Sequence, residues 1–178
     1  MEAIEALLTR RSIRKFKSEQ ISDDDLKKVI EAGMYAPSAM GFQSPFILAI
    51  QNKEEIEELY QLYIEEAQGV SINSMPFYGA PTVIAVFYSE IAITDFLGTL
   101  DASAATTNML NAANALGLGS VWINRCKEIF STIEGRALLD KWGAPENLTG
   151  VAFVALGYPD CEKPKPKQRR DGYYKIIK

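Results

Sequence analysis

The chain has 178 residues, 47% of them hydrophobic and 24% charged, with a net charge of −4 and no histidine. That composition suits one globular domain with a real core, and it excludes general nucleic-acid binding, imidazole-ligated metal centres and Ser-His-Asp catalysis. No apolar run approaches the roughly 20 residues that span a bilayer, and Cys126 and Cys161 form neither a disulfide framework nor a CxxC pair. The acidic start has no leader-like apolar segment, so the cytosol is the expected compartment, with neither membrane nor nucleic acid as a partner.

Residues 2–9 place Ala3, Ile4, Leu7 and Leu8 on one side of a short helix that ends at a run of arginines. Ser22, with Asp25 three residues on, has the form of a capping box. It predicts a helix through Met34 with Leu26, Val29, Ile30 and Gly33 on its inner side. Ala36-Pro37-Ser38 stops that helix. Residues 46–50 are strand-length and apolar, 54–68 read as an acidic helix with a solvated face, and 73–81 read as a loop punctuated by Pro76, Gly79 and Pro81. The unbroken apolar run at 82–88 predicts a strand covered on both faces.

Residues 95–116 carry Ala, Ser, Thr and Asn on every side and no charge after Asp101. Such a helix lets neighbours approach from all directions, which predicts a central position. Asn108, Asn111 and Asn114, at i, i+3 and i+6, are expected to hydrogen-bond across helix packing or a dimer interface. Residues 120–123 predict a strand, 128–142 a helix in two pieces divided at Gly135, and 149–156 the last strand. From 160 to 178 the chain is an extended tail, rich in Pro and Lys at its start. The alternation predicts one α+β domain over 1–178, with four or five strands.

Twelve of the nineteen cations lie in two stretches, five at 10–17 and seven at 163–178. These 24 positions contain one acid, Asp171, and sum to +11, against −15 for the other 154. An acidic protein arranged this way is expected to fold its two ends together around an anion. Ser12, a hydroxyl set among Arg10, Arg11 and Arg14, suits a phosphate. Lys167 and Arg169 alternate in an extended segment and so face the same side.

Two further segments offer hydrogen bonds to a ligand. Ser38 and Gln43 lie in the loop after the Pro37 helix stop. Asn124 and Arg125 follow a strand and present backbone amides. Gly117 and Gly119 do not make a dinucleotide fingerprint, because no third glycine follows and the order runs helix to strand. Tyr63, Phe77 and Tyr78 are channel candidates, although most such aromatics simply pack. Trp122, Trp142 and Cys126 read as structural.

Taken in order, several segments resemble the FMN-dependent nitroreductase family over nearly the whole chain. They are Arg10-Arg11-Ser12-Ile13-Arg14-Lys15-Phe16, Ala36-Pro37-Ser38 with Gln43, Gly79-Ala80-Pro81, Asp101 to Ala113 with Asn108-Met109, Leu116 to Ile123, and Gly157-Tyr158-Pro159 followed by Lys167 and Arg169. The resemblance implies a three-layer α+β sandwich, with a mixed, mainly antiparallel sheet flanked by helices. It also implies an intertwined homodimer with FMN in each of two interface pockets.

Arg10, Ser12, Lys167 and Arg169 would hold the FMN phosphate, with Arg11 nearby. Arg14 would meet the N1/C2 carbonyl side of the ring. Pro37, Ser38, Ala39 and Met40, with Gln43 beyond them, would come from the other subunit. The backbone of Trp122, Ile123, Asn124 and Arg125 would face N5 and O4, and Asn73 the pyrimidine edge. The implied activity is ping-pong reduction of nitroaromatics or quinones by NAD(P)H, with no metal and no side-chain acid or base. Reductive dehalogenation, flavin consumption and non-catalytic flavin binding are alternatives on the same fold. The chain departs from the family pattern at Gly41, where the family commonly has Asn, and at Ser44-Pro45, where it has Pro-Trp. Those departures bear on substrate choice.

Overall fold

The computed structural model describes residues 2–67 and 76–178. Asn73 and the expected helix end at Gln68 lie outside the described residues. Strands β1 (Pro45–Ile50), β2 (Thr82–Tyr88), β3 (Gly119–Ile123) and β4 (Thr149–Gly157) form one sheet in the order β1-β2-β4-β3, and every ladder in it is antiparallel. The parallel element is a single bridge between Ser12 and Ser120.

Two cores lie on the two faces of this sheet, and the alternation of side chains along β2 shows why. Val83, Ala85 and Phe87 point into one core, and Ile84, Val86 and Tyr88 into the other. All seven residues of β2 are buried, as the continuous apolar run requires. One face is covered by α3 (Lys53–Glu66), α5 (Cys126–Ile129) and α6 (Ile133–Lys141), the other by α2 (Asp23–Met34) and α4 (Asp95–Ala115). The expected three-layer α+β sandwich is therefore present.

Local chemistry accounts for the helix boundaries. Ser22 Oγ accepts the Asp25 N–H and opens α2, Asn52 Oδ1 accepts the N–H groups of Glu54 and Glu55 and opens α3, and Thr94 caps α4. Helix α4 is central, as its small residues predict: Ala102, Ala105, Thr106, Met109 and Ala113 are buried along one side. Asn108 donates to the Ala32 carbonyl of α2 at 3.1 Å, and Asn114 donates to the Ala6 carbonyl of α1 (Ala3–Thr9) at 2.8 Å. Both amides therefore join helices.

One expectation is corrected. The break in the 128–142 region falls at Phe130–Thr132, where Thr132 Oγ1 accepts the Gly135 N–H and opens α6. Gly135 lies inside α6 and serves a close approach, since a Cβ there would sit 2.0 Å from the Ile129 carbonyl oxygen. In α1, only Ala6 is buried, while Ile4, Leu7 and Leu8 are exposed. The apolar face read from the sequence exists, but nothing in the single chain covers it.

Gly135→Ala should destabilise the fold by about 3 kcal/mol or more, lowering Tm by roughly 6–12 °C for a domain of this size. Thermal unfolding followed by circular dichroism checks this. A Tm unchanged from wild type would show that the contact relaxes freely.

Candidate functional site

The two cationic ends meet because the chain ladders them together. Beyond α1, residues 12–17 run across the start of β3 and the end of β4. Ile13 N–H donates to the Ser120 carbonyl at 3.0 Å, Lys17 N–H to the Tyr158 carbonyl at 2.9 Å and Asp160 N–H to the Lys15 carbonyl at 2.9 Å. Phe16 pairs with Pro159. Gly119 makes room for this strap: a Cβ there would lie 2.9 Å from Ile13 Cγ2. The tail thus leaves β4 directly beside the N-terminal cluster. Lys15 pairs with Asp160 at 2.8 Å, and Lys163 Nζ donates to Asn114 Oδ1 at 2.8 Å. Asn114 consequently ties α1, α4 and the tail at one point.

Arg10, half-buried at the end of α1, lies within electrostatic reach of both Arg11 and Arg169. Burial, followed by repulsion from Arg11 and then from Arg169, pushes its pKa below the usual guanidinium value. None of the three forms an ion pair among the described residues. Arg11 Nη1 donates to the carbonyls of Leu8 (2.9 Å) and Arg10 (2.6 Å), but its Nε is buried without a partner. Buried N–H groups are nearly always satisfied, so an orphan here marks a position where an acceptor belongs. Clustered guanidiniums with an orphan donor fit a doubly charged phosphate, which takes several charge-assisted hydrogen bonds at once. Ser12 lies within this cluster in sequence, on the strap. Lys167 and Arg169 are both exposed and neither makes a hydrogen bond or ion pair among the described residues; of the two, only Arg169 acts electrostatically on Arg10.

Arg14 reaches a different place. Its guanidinium lies 6.0 Å from the ring centroid of Tyr78, in a turn where Tyr78 and Gly79 have φ of 55° and 70°. Past β3, the Trp122 indole N–H donates to Asn124 Oδ1 at 2.8 Å, and Arg125, at φ 73°, donates from Nη1 to the Glu66 carbonyl at 3.1 Å. Ile123 is buried in the core. Burial pushes the Tyr63 phenol up while Arg125 opposes it. Phe77 is a core residue, packed edge-on against Tyr63 at 5.7 Å and against Phe153 at 5.4 Å. Packing is therefore the right reading for Phe77, while Tyr78 pairs with Arg14.

The Pro37–Gln43 loop lies elsewhere on the surface and borders a cavity of about 330 Å³ with Met34 and Phe46. Ser38 Oγ accepts the Gln43 N–H at 2.9 Å, Ala39 N–H donates to Asp101 Oδ1 at 2.9 Å, and Met40 is 85% exposed. Gly41 has φ 73°, a conformation that asparagine tolerates but glycine adopts without cost, which accounts for the departure at this position. Ser44 is fully buried and donates to Asp101 Oδ2 at 2.8 Å. Neither Ser44 nor Asp101 was a site candidate from sequence. The one available signal was that Asp101 is the last charge in α4, with only neutral residues after it. Cys126 is buried and its thiol is pushed far up by burial, in keeping with a structural role.

The profile described as the Nitroreductase family matches residues 7–158. A nitroreductase of Bacteroides fragilis solved with bound FMN superposes with a TM-score of 0.89 at 32% identity, covering 100% of both chains. An NADPH-flavin oxidoreductase of Vibrio harveyi is 28% identical over 93% of this chain and 69% of its own length. An FMN reductase [NAD(P)H] of Bacillus subtilis is 26% identical over 93% of this chain and 70% of its own.

Proposed function

We propose that this chain, which belongs to the nitroreductase family, is a homodimeric FMN-dependent NAD(P)H oxidoreductase that reduces nitroaromatics, quinones or similar acceptors in a ping-pong cycle. The observation that carries the reading is the half-buried Arg10–Arg11 pair, with Arg11 Nε an orphan donor, set beside the laddered start of the cationic tail and with no carboxylate partner among the described residues. The relatives that act on flavins with nicotinamide donors, and the FMN-bound structure of similar shape, support the same cofactor.

Bound FMN would supply the redox chemistry, accepting hydride at N5, so a protein without histidine needs no side-chain acid or base of its own. The chain's part is to bind, orient and tune. Arg10, Ser12, Lys167 and Arg169, with Arg11 beside them, hold the phosphate. Lys167 lies two residues before Arg169 on the exposed tail. The Arg14 guanidinium favours negative charge at the N1/O2 edge of the ring. Trp122, Ile123, Asn124 and Arg125 offer backbone at the N5/O4 edge, Asn73 the pyrimidine edge, and Pro37, Ser38, Ala39, Met40 and Gln43 reach the ring from a second copy.

A second copy also accounts for the apolar surface. Ile4 and Leu8 of α1, Met34 and Tyr35 at the end of α2, and Phe96 of α4 are each at least 67% exposed. All five belong to α1, α2 and α4 or to their ends, and α1 and α2 both pack against α4; large apolar side chains left exposed along one helical layer suit an interface. The domain is read as continuous over 1–178, with 160–178 as an extended C-terminal tail.

An absorption spectrum of the FMN-loaded protein tests the activity. NADH or NADPH should bleach the flavin bands and a nitroaromatic or quinone should restore them, whereas bands that neither donor bleaches would point to flavin binding without turnover. Arg10→Ala combined with Arg169→Ala should strip most of the FMN from a protein that stays folded and dimeric, read as the flavin-to-protein ratio after gel filtration; full retention would refute the phosphate assignment. Arg14→Ala should lower the reduction potential of the bound flavin by about 30 mV or more, equivalent to roughly 1.4 kcal/mol for two electrons. An unchanged potential would remove the N1 role.

A further inference from the structure

A single buried carboxylate spans the loop that the proposed function assigns to the cofactor of a second copy. Asp101 is 6% exposed, yet no cation lies within ion-pair distance of it among the described residues. Its Oδ1 accepts the Ala39 N–H at 2.9 Å and its Oδ2 the Ser44 hydroxyl at 2.8 Å, so it grips both ends of the loop from α4. Within that grip Ser38 Oγ accepts the Gln43 N–H at 2.9 Å. The Ser44 carbonyl is in turn held by the Ser89 N–H at 2.9 Å and the Ser89 hydroxyl at 3.1 Å.

Between the anchors the backbone is strained. Met40 and Gln43 have φ of 50° and 53°, a left-handed conformation that costs a non-glycine residue about 1 kcal/mol or more. Such a conformation persists only where its surroundings impose it. A buried carboxylate without a cation is costly unless it is hydrogen-bonded, and both hydrogen bonds that Asp101 accepts come from the loop. Its output points away from the core, because Met40 is almost fully exposed and Phe42 is half-exposed.

We propose that Asp101 is a positioning residue of the cofactor pocket: from α4, its carboxylate holds the 38–44 loop in the strained shape that presents Ser38, Met40 and Gln43 to FMN held by a second copy of the chain. The inference rests on the proposed function. Asp101 acts through the loop and does not itself touch the cofactor. Asparagine can reproduce both contacts, its carbonyl accepting from Ala39 and its amide donating to the Ser44 oxygen, whereas alanine leaves both partners unmet.

The test is titration of apo-protein with FMN, followed by flavin fluorescence quenching and by the visible spectrum at saturation. Wild type is compared with Asp101→Ala, Asp101→Asn and Ser44→Ala. Asp101→Ala should weaken FMN binding at least tenfold, on the order of the loss of one charge-assisted hydrogen bond, and shift the visible bands. Asp101→Asn should restore most of the affinity and the wild-type spectrum. Ser44→Ala, which removes one anchor and keeps the carboxylate, should fall between them, and it decides the matter should Asp101→Ala fail to fold. Wild-type affinity and spectrum in both Ser44→Ala and a folded Asp101→Ala would overturn the inference, as would Asp101→Asn behaving like Asp101→Ala. The two readings fail separately. If the Arg10/Arg169 double variant loses FMN while the Asp101 and Ser44 variants keep it, the phosphate assignment stands and the positioning role falls. If wild type itself takes up no FMN, the proposed function falls first.

Discussion

Arg10 lies within electrostatic reach of the guanidiniums of Arg11 and Arg169 where α1 ends, and no carboxylate among the described residues pairs with any of them. Left alone, this arrangement works against folding, because half-burial and like charge both penalise the protonated form that arginine cannot give up. Something else must hold it. The backbone ladder between residues 12–17 and the ends of β3 and β4 fixes the N-terminal strap, and Asn114 and the Lys15–Asp160 pair fix the start of the tail. The fold spends those contacts to keep cations together, which is sensible only where an anion completes the site. Such a site is then strong for a dianion and indifferent to neutral ligands.

The same organisation separates the tasks of the two sheet faces. The face under α3, α5 and α6 is closed by large aromatics, with Phe130 packed against both Phe87 and Phe153. That core is a rigid backing for the sheet. The opposite face carries α2 and α4, whose small residues allow close packing, and large apolar side chains such as Met34 and Phe96 stand exposed on it among the described residues. The cationic cluster sits at the end of this layer and the Asp101-held loop on it, so both parts of the proposed pocket are built on the side where a second copy would dock. A pocket shared between copies ties cofactor binding to assembly.

Much of this was legible in the sequence wherever the cause is local. Ser22 and Asp25 announce a cap whose donor and acceptor are three residues apart. The run at 82–88 leaves no solvent face for a strand, and the neutral stretch after Asp101 suits no surface helix. The charge segregation was legible because it is a count, and its consequence followed once the topology set the tail beside residue 16. Gly135 was misread because a glycine that breaks a helix and one that permits close approach look alike without the neighbouring Ile129 carbonyl. The apolar face of α1 was read correctly, but its cover was not in the chain. Asp101 was invisible as a site residue because both its partners lie far away along the chain. Lys167 shows the reverse: alternation with Arg169 gave it a side but no contact.

The central claim is that the converged arginines grip a phosphoryl group, and isothermal titration of apo-protein with FMN and with riboflavin addresses it most directly. The two ligands share the ring and ribityl chain and differ only in the phosphate. The account predicts FMN bound at least about 100-fold more tightly than riboflavin, the value of two or so charge-assisted hydrogen bonds, with the difference shrinking as salt is raised. Equal affinities for the two ligands would contradict it.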